Sequence, residues 1–252
     1  MVGDNMLYEV CFLFLLFLLY SILGWIMECI ACSFTARKLI IDRGFLLGPY
    51  CPIYGWGGLC SYLLLTKYSN DPITLFILAS VGASVLEYIT SYLMEKLFKA
   101  RWWDYSNRRF NIEGRVCLGN AAIFGILGTI FVCYLNPFII SLFKSISNST
   151  LIVISIICMV IFLVDNIATF TIMTKLKLRI SSIKKDSTSD IDKQVKDFLT
   201  SYNFFIRRVF RAFPKIKFSL PSGDRIQKKV QDFLSGIEKA KRKNKHKKNK
   251  ND

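Results

Sequence analysis

The sequence predicts an all-α integral membrane protein: five transmembrane helices followed by a basic cytoplasmic tail. Three observations support this fold class. Apolar residues make up 52% of the 252 residues, and they gather in runs long enough to cross a bilayer. The net charge of +16 sits almost wholly at one end. Residues 175–252 hold 23 Lys/Arg against 8 Asp/Glu, whereas residues 1–174 hold 11 against 10. Lysines and arginines also alternate from loop to loop in the way that fixes membrane orientation. The expected organisation is therefore a transmembrane domain over 1–174 and a tail over 175–252.

The spans are expected at about 8–31, 49–66, 73–97, 116–137 and 150–174, each near the ~20 residues that a helix needs to cross ~30 Å of hydrocarbon. Asp4 and Glu9 lead into the first span without any Lys or Arg, and Arg37, Lys38 and Arg43 follow it. That order suits an uncleaved anchor with its N-terminus outside, not a signal peptide. The second span opens on Gly48-Pro49-Tyr50-Cys51-Pro52, so it begins at one of the prolines or kinks there. The loops after spans one and three hold three and six Lys/Arg, and those after spans two and four hold one each. With the tail, 32 of the 34 positive residues fall on one side, which predicts N-out and C-in at every loop.

A weak internal repeat links the first two hairpins, in parallel orientation as in some transporter folds. Trp25-Ile26-Met27-Glu28 lines up with Tyr92-Leu93-Met94-Glu95 at an offset of 67, and Ile53-Tyr54-Gly55 with Ile123-Phe124-Gly125 at 70. Chance likeness between apolar helices would look the same. In the tail, apolar residues recur at helical spacing over about 189–213 and again over about 223–238, predicting two amphipathic helices. From Lys239 the chain holds eight Lys/Arg in twelve residues, a composition expected to be disordered.

Carboxylates within membrane-length apolar segments are functional candidates by default, because burying them is costly. At 100° per residue, Ser80, Ser84, Glu87, Ser91 and Glu95 share a sector of about 80° on the third span. Lipid would disfavour such a stripe, so it is expected to face other helices or a wet cavity. With Glu28 and Asp165 these residues outline a substrate or ion path in the cytoplasmic half. Glu28 and Glu95 lie near span ends, where pairing with Arg37, Lys38 or Lys96 is the alternative. Glu87 and Asp165 lie deeper. The segment Arg101-Trp102-Trp103-Asp104-Tyr105 fits a membrane surface, with indoles at headgroup depth. Gly44, Gly48, Gly55 and Gly125 suit close helix contact, and Pro49 and Pro52 a helix start.

Several classes are excluded. There is no Gly-x-x-x-x-Gly-Lys-Ser/Thr motif, hence no ATPase within the chain. The lone histidine, His246, lies in the lysine run, so His-based zinc sites and Ser-His catalysis are out. Cys29-x-x-Cys32 lacks a second pair and reads as packing, as do the other six cysteines. No metal or cofactor is expected, and no enzymatic activity. The tail's basic run suits anionic lipid, with nucleic acid the lesser fit because a tethered tail meets acidic lipid first.

Two stretches carry a family resemblance. One is Tyr20-Ser21, Gly24-Trp25 and Glu28, then Arg43-Gly44-Phe45-Leu46, Gly48-Pro49 and Pro52-Ile53-Tyr54-Gly55. The other is Glu87-Tyr88, Ser91, Glu95 and Phe98, then Trp102-Trp103-Asp104-Tyr105-Ser106, Asn111 and Gly114-Arg115. Over about residues 12–130 they resemble, in order and spacing, the bacterial membrane proteins known as ABC-transporter type IV permeases (CmpB-like). Phe124 stands where other members often carry Trp. The resemblance implies a permease driven by a separate ATPase, and it marks Glu28, Glu87, Glu95 and the Trp-Asp-Tyr-Ser foot. The expected partners are the lipid bilayer, anionic lipid at the tail, that ATPase subunit and a second copy in a homodimer. The alternative function is a membrane scaffold whose basic tail recruits lipids or proteins.

Overall fold

A computed structural model describes residues 2–182 together with 208, 212–213 and 216–218. It is mostly helical. Four helices are long and apolar enough to cross a membrane: Asn5–Ala36, Pro72–Phe98, Leu118–Lys144 and Asn148–Lys175. They correspond to the first, third, fourth and fifth expected spans. The tail helices expected over about 189–213 and 223–238, and the lysine-rich end, lie outside the described residues apart from Arg208, Ala212 and Phe213.

Helix α1 (Val2–Ala36) is the axis of the packing, with half of its most apolar window buried. Its residues Cys11, Phe12, Leu15, Leu16 and Tyr20 form a core with Ile139 and Leu151. The Tyr20 hydroxyl donates to Asn136 Oδ1 at 2.6 Å, so that two polar groups at membrane depth satisfy each other. The long helices around it, α3 (Pro72–Phe98) and α6 (Asn148–Ser182), leave most of their apolar side chains exposed, as helices bathed in lipid do. Asp71 starts α3 by accepting from the backbone N–H groups of Ile73 and Thr74 at 3.2 and 3.1 Å, an N-cap arrangement.

The second expected span is built differently from the others. Residues 37–51 form no regular element and double back along α1. Cys51 N donates to Ser21 O at 2.9 Å, a point 15 residues, or about 22 Å, before the end of α1. Only there does α2 (Pro52–Cys60) begin, with Pro52 in its first turn, where a missing N–H costs nothing. It continues as a π turn over Ser61–Leu65 and a 3-10 turn over Thr66–Tyr68. Glycines set its approach to α1. A Cβ on Gly55 would lie 2.1 Å from Ser21 Oγ and 2.6 Å from the Phe17 carbonyl.

Helix α4 (Leu118–Ile130) passes through a π turn over Phe131–Leu135 into α5 (Asn136–Lys144). Before it, the two-residue strands β2 (Asn111–Ile112) and β3 (Val116–Cys117) pair antiparallel, with Asn111 opposite Cys117.

The chain divides into two compact units. Residues 1–93 with 104–170 make up the first, and residues 94–103 with 171–252 the second. In the second, strand β1 (Ala100–Arg101) pairs antiparallel with β4 (Lys217–Phe218), Trp102 meets Phe213 edge-on at 4.7 Å, and Lys177 Nζ donates to Leu97 O at 2.8 Å.

Candidate functional site

The polar foot that follows α3 is a stapled loop. Asp104 Oδ1 accepts from the Ser106 N–H at 3.0 Å and from its hydroxyl at 2.5 Å. Asn111 donates to the carbonyls of Ser106 and Arg108 and accepts from Gly114 N. Tyr105 N donates to Gly114 O at 2.7 Å. Gly114 sits at φ +66°, and a Cβ there would lie 2.4 Å from Ser106 Oγ, so glycine is required twice over, by conformation and by space. Asp104, Ser106, Asn111 and Gly114 thus shape the loop, and Tyr105 and Arg115 project from it.

Those two side chains reach consecutive turns of α3. The Tyr105 hydroxyl donates to Glu87 Oε1 at 3.1 Å. Arg115 donates to Ser91 Oγ at 3.2 Å, pairs with Glu113 at 3.3 Å, and lies over the rings of Tyr88 and Tyr92. Glu87 is only 6% exposed. The Tyr105 phenol is pushed well above its ordinary range, first by burial, then by the Glu87 carboxylate, and also by Glu28.

Glu28 has partners of its own. Tyr54 donates its hydroxyl to Oε1 at 2.6 Å, and Arg43 forms an ion pair with Oε2 at 3.1 Å. The expected pairing with Arg37 or Lys38 is replaced by Arg43, because the returning 37–51 segment brings that guanidinium back alongside α1. Gly44, next to it, has φ +90°, and Trp25 Nε1 holds the Arg43 carbonyl at 3.0 Å.

Asp165 serves that same segment. Its Oδ1 accepts from Leu47 N at 3.0 Å and Thr169 Oγ1 at 2.9 Å. Its Oδ2 accepts from Gly48 N at 2.6 Å and from the Tyr50 hydroxyl. Two backbone N–H groups that no helix satisfies thus find a side-chain carboxyl as acceptor, the arrangement that irregular backbone at membrane depth demands. Gly48 is needed because a Cβ there would strike the Tyr50 ring at 2.4 Å. Pro49 is exposed.

The remaining stripe residues have other neighbours. Ser80 Oγ is buried and makes no hydrogen bond; it packs where a Cβ on Gly125 would come to 2.1 Å. Ser84 Oγ turns back to the Ser80 carbonyl at 2.7 Å. Glu95, in the second unit, pairs with Arg101 at 3.2 Å. Trp102 does not present its indole to headgroups: it is 4% exposed, enclosed by Phe98 and Phe213. Trp103 is half-buried.

Sequence reasoning singled out the carboxylates, set Thr169 in the same sector of its helix as Asp165, and met Arg43 and Tyr54 only in the charge count, the repeat and the family resemblance. It did not pair any of them with the carboxylate it serves. Tyr54, Arg43, Tyr50 and Thr169 carry the decisive contacts. Tyr54 had a signal, since it lies on the gly-bearing face of the second span. Thr169 had one too, four residues from Asp165 on the same helix face. Among the described residues no group of three or more His, Cys, Asp and Glu could hold a metal ion.

A family model described as putative ABC-transporter type IV matches residues 15–170. The chain belongs to this family. The match takes in α1 through most of α6, and so includes Glu28, the 37–51 segment, Glu87, the foot and Asp165. No curated protein and no solved structure matches the chain. This member of the ABC-transporter type IV family is a membrane protein with at least four apolar helices of spanning length.

Proposed function

We propose that the chain is the permease component of a transporter in a bacterial inner membrane. It crosses five times, with its N-terminus outside and its C-terminus in the cytoplasm, and energy comes from a separate ATPase. Residues 52–68 supply the second of these crossings. They run antiparallel to α1, and 17 residues cover about 25 Å at helical rise. An acidic path opens to the cytoplasm past Glu87 and Glu28, with Ser84 and Ser91 on the same wall.

The burial of Glu87 carries this proposal. A carboxylate 6% exposed on the polar stripe of a largely apolar helix, with one tyrosine hydroxyl as its donor among the described residues, is costly to bury, and carboxylates kept at such positions in membrane helices serve function. The family's name supports a transport role. Asp165, already committed to fixed donors, contributes structure to this path and not a free carboxylate. The basic tail binds anionic lipid in this scheme, and the chain itself carries out no chemistry.

Glu87→Gln and Glu87→Leu test the proposal in cells that depend on the transporter. Loss of the transport or growth phenotype is expected from both, and retention by both overturns it. Deleting residues 186–252 separates a permease, which keeps most of its activity, from a scaffold that recruits partners through its tail, which loses it.

A further inference from the structure

Three contacts between α1 and the second crossing reappear between α3 and α4. Gly55 lies against Ser21 Oγ and the Phe17 ring, at 2.1 and 2.8 Å from a built Cβ; Gly125 lies against Ser80 Oγ and the Phe76 ring at the same two distances. Gly58 meets Tyr20 at 2.6 Å, and Gly128 meets Ala79 at 2.6 Å. In every case the partner on the odd-numbered crossing moves by 59 residues and the glycine moves by 70.

Other features obey the same two offsets. The π turns at Ser61–Leu65 and Phe131–Leu135 are 70 apart. So are Gly44 and Gly114, the two glycines with positive φ among the described residues. At 59, Ser21-Ile22 falls on Ser80-Val81, Ile26-Met27-Glu28 on Val85-Leu86-Glu87, and Ile30 on Ile89. Tyr54 and Phe124, also 70 apart, touch each other with ring centroids 6.5 Å apart. Equivalent residues meet in this way beside the axis of a two-fold repeat.

We infer that the first four crossings are two quasi-equivalent hairpins in this register, in which Glu28 is the counterpart of Glu87 and the foot is an insertion that restores a lost hydroxyl. The register differs from the offset of 67 that aligns Glu28 with Glu95. With Glu28 and Glu87 as counterparts, the connection 33–43 answers to 92–113, which is longer by 11 residues, and the extra length contains Tyr105. In the first hairpin Tyr54 gives Glu28 its hydroxyl donor. In the second, the equivalent position is Phe124, which has none, and Tyr105 donates to Glu87 from the insertion. A buried carboxylate without a donor is strongly disfavoured, so a hairpin with Phe at this position needs a donor from elsewhere. This inference concerns packing and hydrogen bonding, and stands whether or not the chain transports.

The register makes a rescue possible. Tyr105→Phe removes the donor to Glu87, and Phe124→Tyr places a hydroxyl where Tyr54 carries one in the first hairpin. Thermal unfolding of the purified full-length protein in a mild detergent is measured for each variant and for the two combined. Tyr105→Phe is expected to lower the midpoint, and adding Phe124→Tyr to recover at least half of the loss. In a Glu87→Leu background the recovery is expected to vanish. No recovery, or equal recovery without Glu87, overturns the inference. So does a Tyr105→Phe midpoint equal to wild type. A second measurement reads the register alone by oxidative cross-linking and mass spectrometry of the linked peptides. Ser80→Cys with Gly125→Cys is expected to link, and Tyr88→Cys with Gly125→Cys, the pair that an offset of 67 requires, is not. The reverse result, or no link in either pair, overturns the register.

Discussion

Replacing Asp165 by leucine removes the acceptor of four donors at once: the backbone N–H groups of Leu47 and Gly48 and the hydroxyls of Tyr50 and Thr169. Thr169 can turn back to the carbonyl four residues earlier on its own helix, so its loss is small. The other three donors have no helix to return to, and their neighbourhood is dry: Leu46 is 1% and Tyr50 7% exposed. A buried donor left unsatisfied costs about 1–3 kcal/mol. Three such donors make at most about 3–9 kcal/mol, and relaxation of the irregular segment lowers the expected total to about 2–5 kcal/mol. Against a typical stability of about 5–15 kcal/mol this is a severe loss. Asp165→Asn keeps one oxygen acceptor and turns an NH2 group toward the other donors, so roughly half the effect is expected. Thermal unfolding of the full-length protein in a mild detergent measures the loss, and limited proteolysis reports whether residues 37–51 come free. If Asp165→Leu unfolds at the wild-type midpoint and the segment stays resistant, Asp165 does not hold it.

Two of the interhelical glycines, Gly55 and Gly125, are expected to respond unequally to alanine. At Gly55 the new Cβ meets the Phe17 backbone carbonyl as well as Ser21 Oγ, whereas at Gly125 the nearest atoms all belong to side chains, Ser80 Oγ and the Phe76 ring. Backbone cannot rotate aside, so Gly55→Ala falls in the overpacking range of about 1–3 kcal/mol, Gly125→Ala below it, and Ser80→Gly should relieve the latter; a lower unfolding midpoint for Gly125→Ala than for Gly55→Ala would contradict this. Tyr105 is expected to make stability pH-dependent at the alkaline end. Its folded phenol keeps its proton above the ordinary value because of burial and the nearby carboxylates, while the unfolded chain releases it near pH ~10. The contribution is therefore complete below that pH and is lost as the pH rises beyond it. Tyr105→Phe should flatten the fall in unfolding midpoint above pH ~10, and an unchanged slope would sink the assignment.

The spans were legible because lipid acts on composition. A run of apolar residues long enough to cross has few alternatives to a helix, and four of the five expected runs coincide with long helices, which overrun the expected ends by as much as seven residues at Lys144. The second was harder to place because its first residues have tertiary obligations. Residues 49–51 would extend a helix by pattern alone, yet Tyr50 is drawn to Asp165 and Cys51 N to Ser21 O, so α2 waits until Pro52. The surface-anchor reading of Trp102 failed for a related reason: Phe213 lies 111 positions away in sequence, and it covers the ring.

The polar stripe on α3 shows where helical angles stop being informative. Ser80, Glu87, Ser91 and Glu95 share one sector of the helix, but four different neighbours meet them: Gly125, Tyr105, Arg115 and Arg101. An angle says which way a carboxylate points and not which donor arrives. Donors arrive on backbone that leaves the helical ladder, and such backbone must itself be satisfied at membrane depth. The 37–51 segment does so with Asp165, and the foot, outside the long helices, is stapled by Asp104 and Asn111. The acids that look alike in the sequence therefore divide by what they accept from. Asp165 takes backbone amides and fixes a loop, Glu95 takes a guanidinium, and Glu87 is left with a single hydroxyl, the weakest commitment of the three. That difference in commitment makes Glu87 the carboxylate most able to exchange its partner.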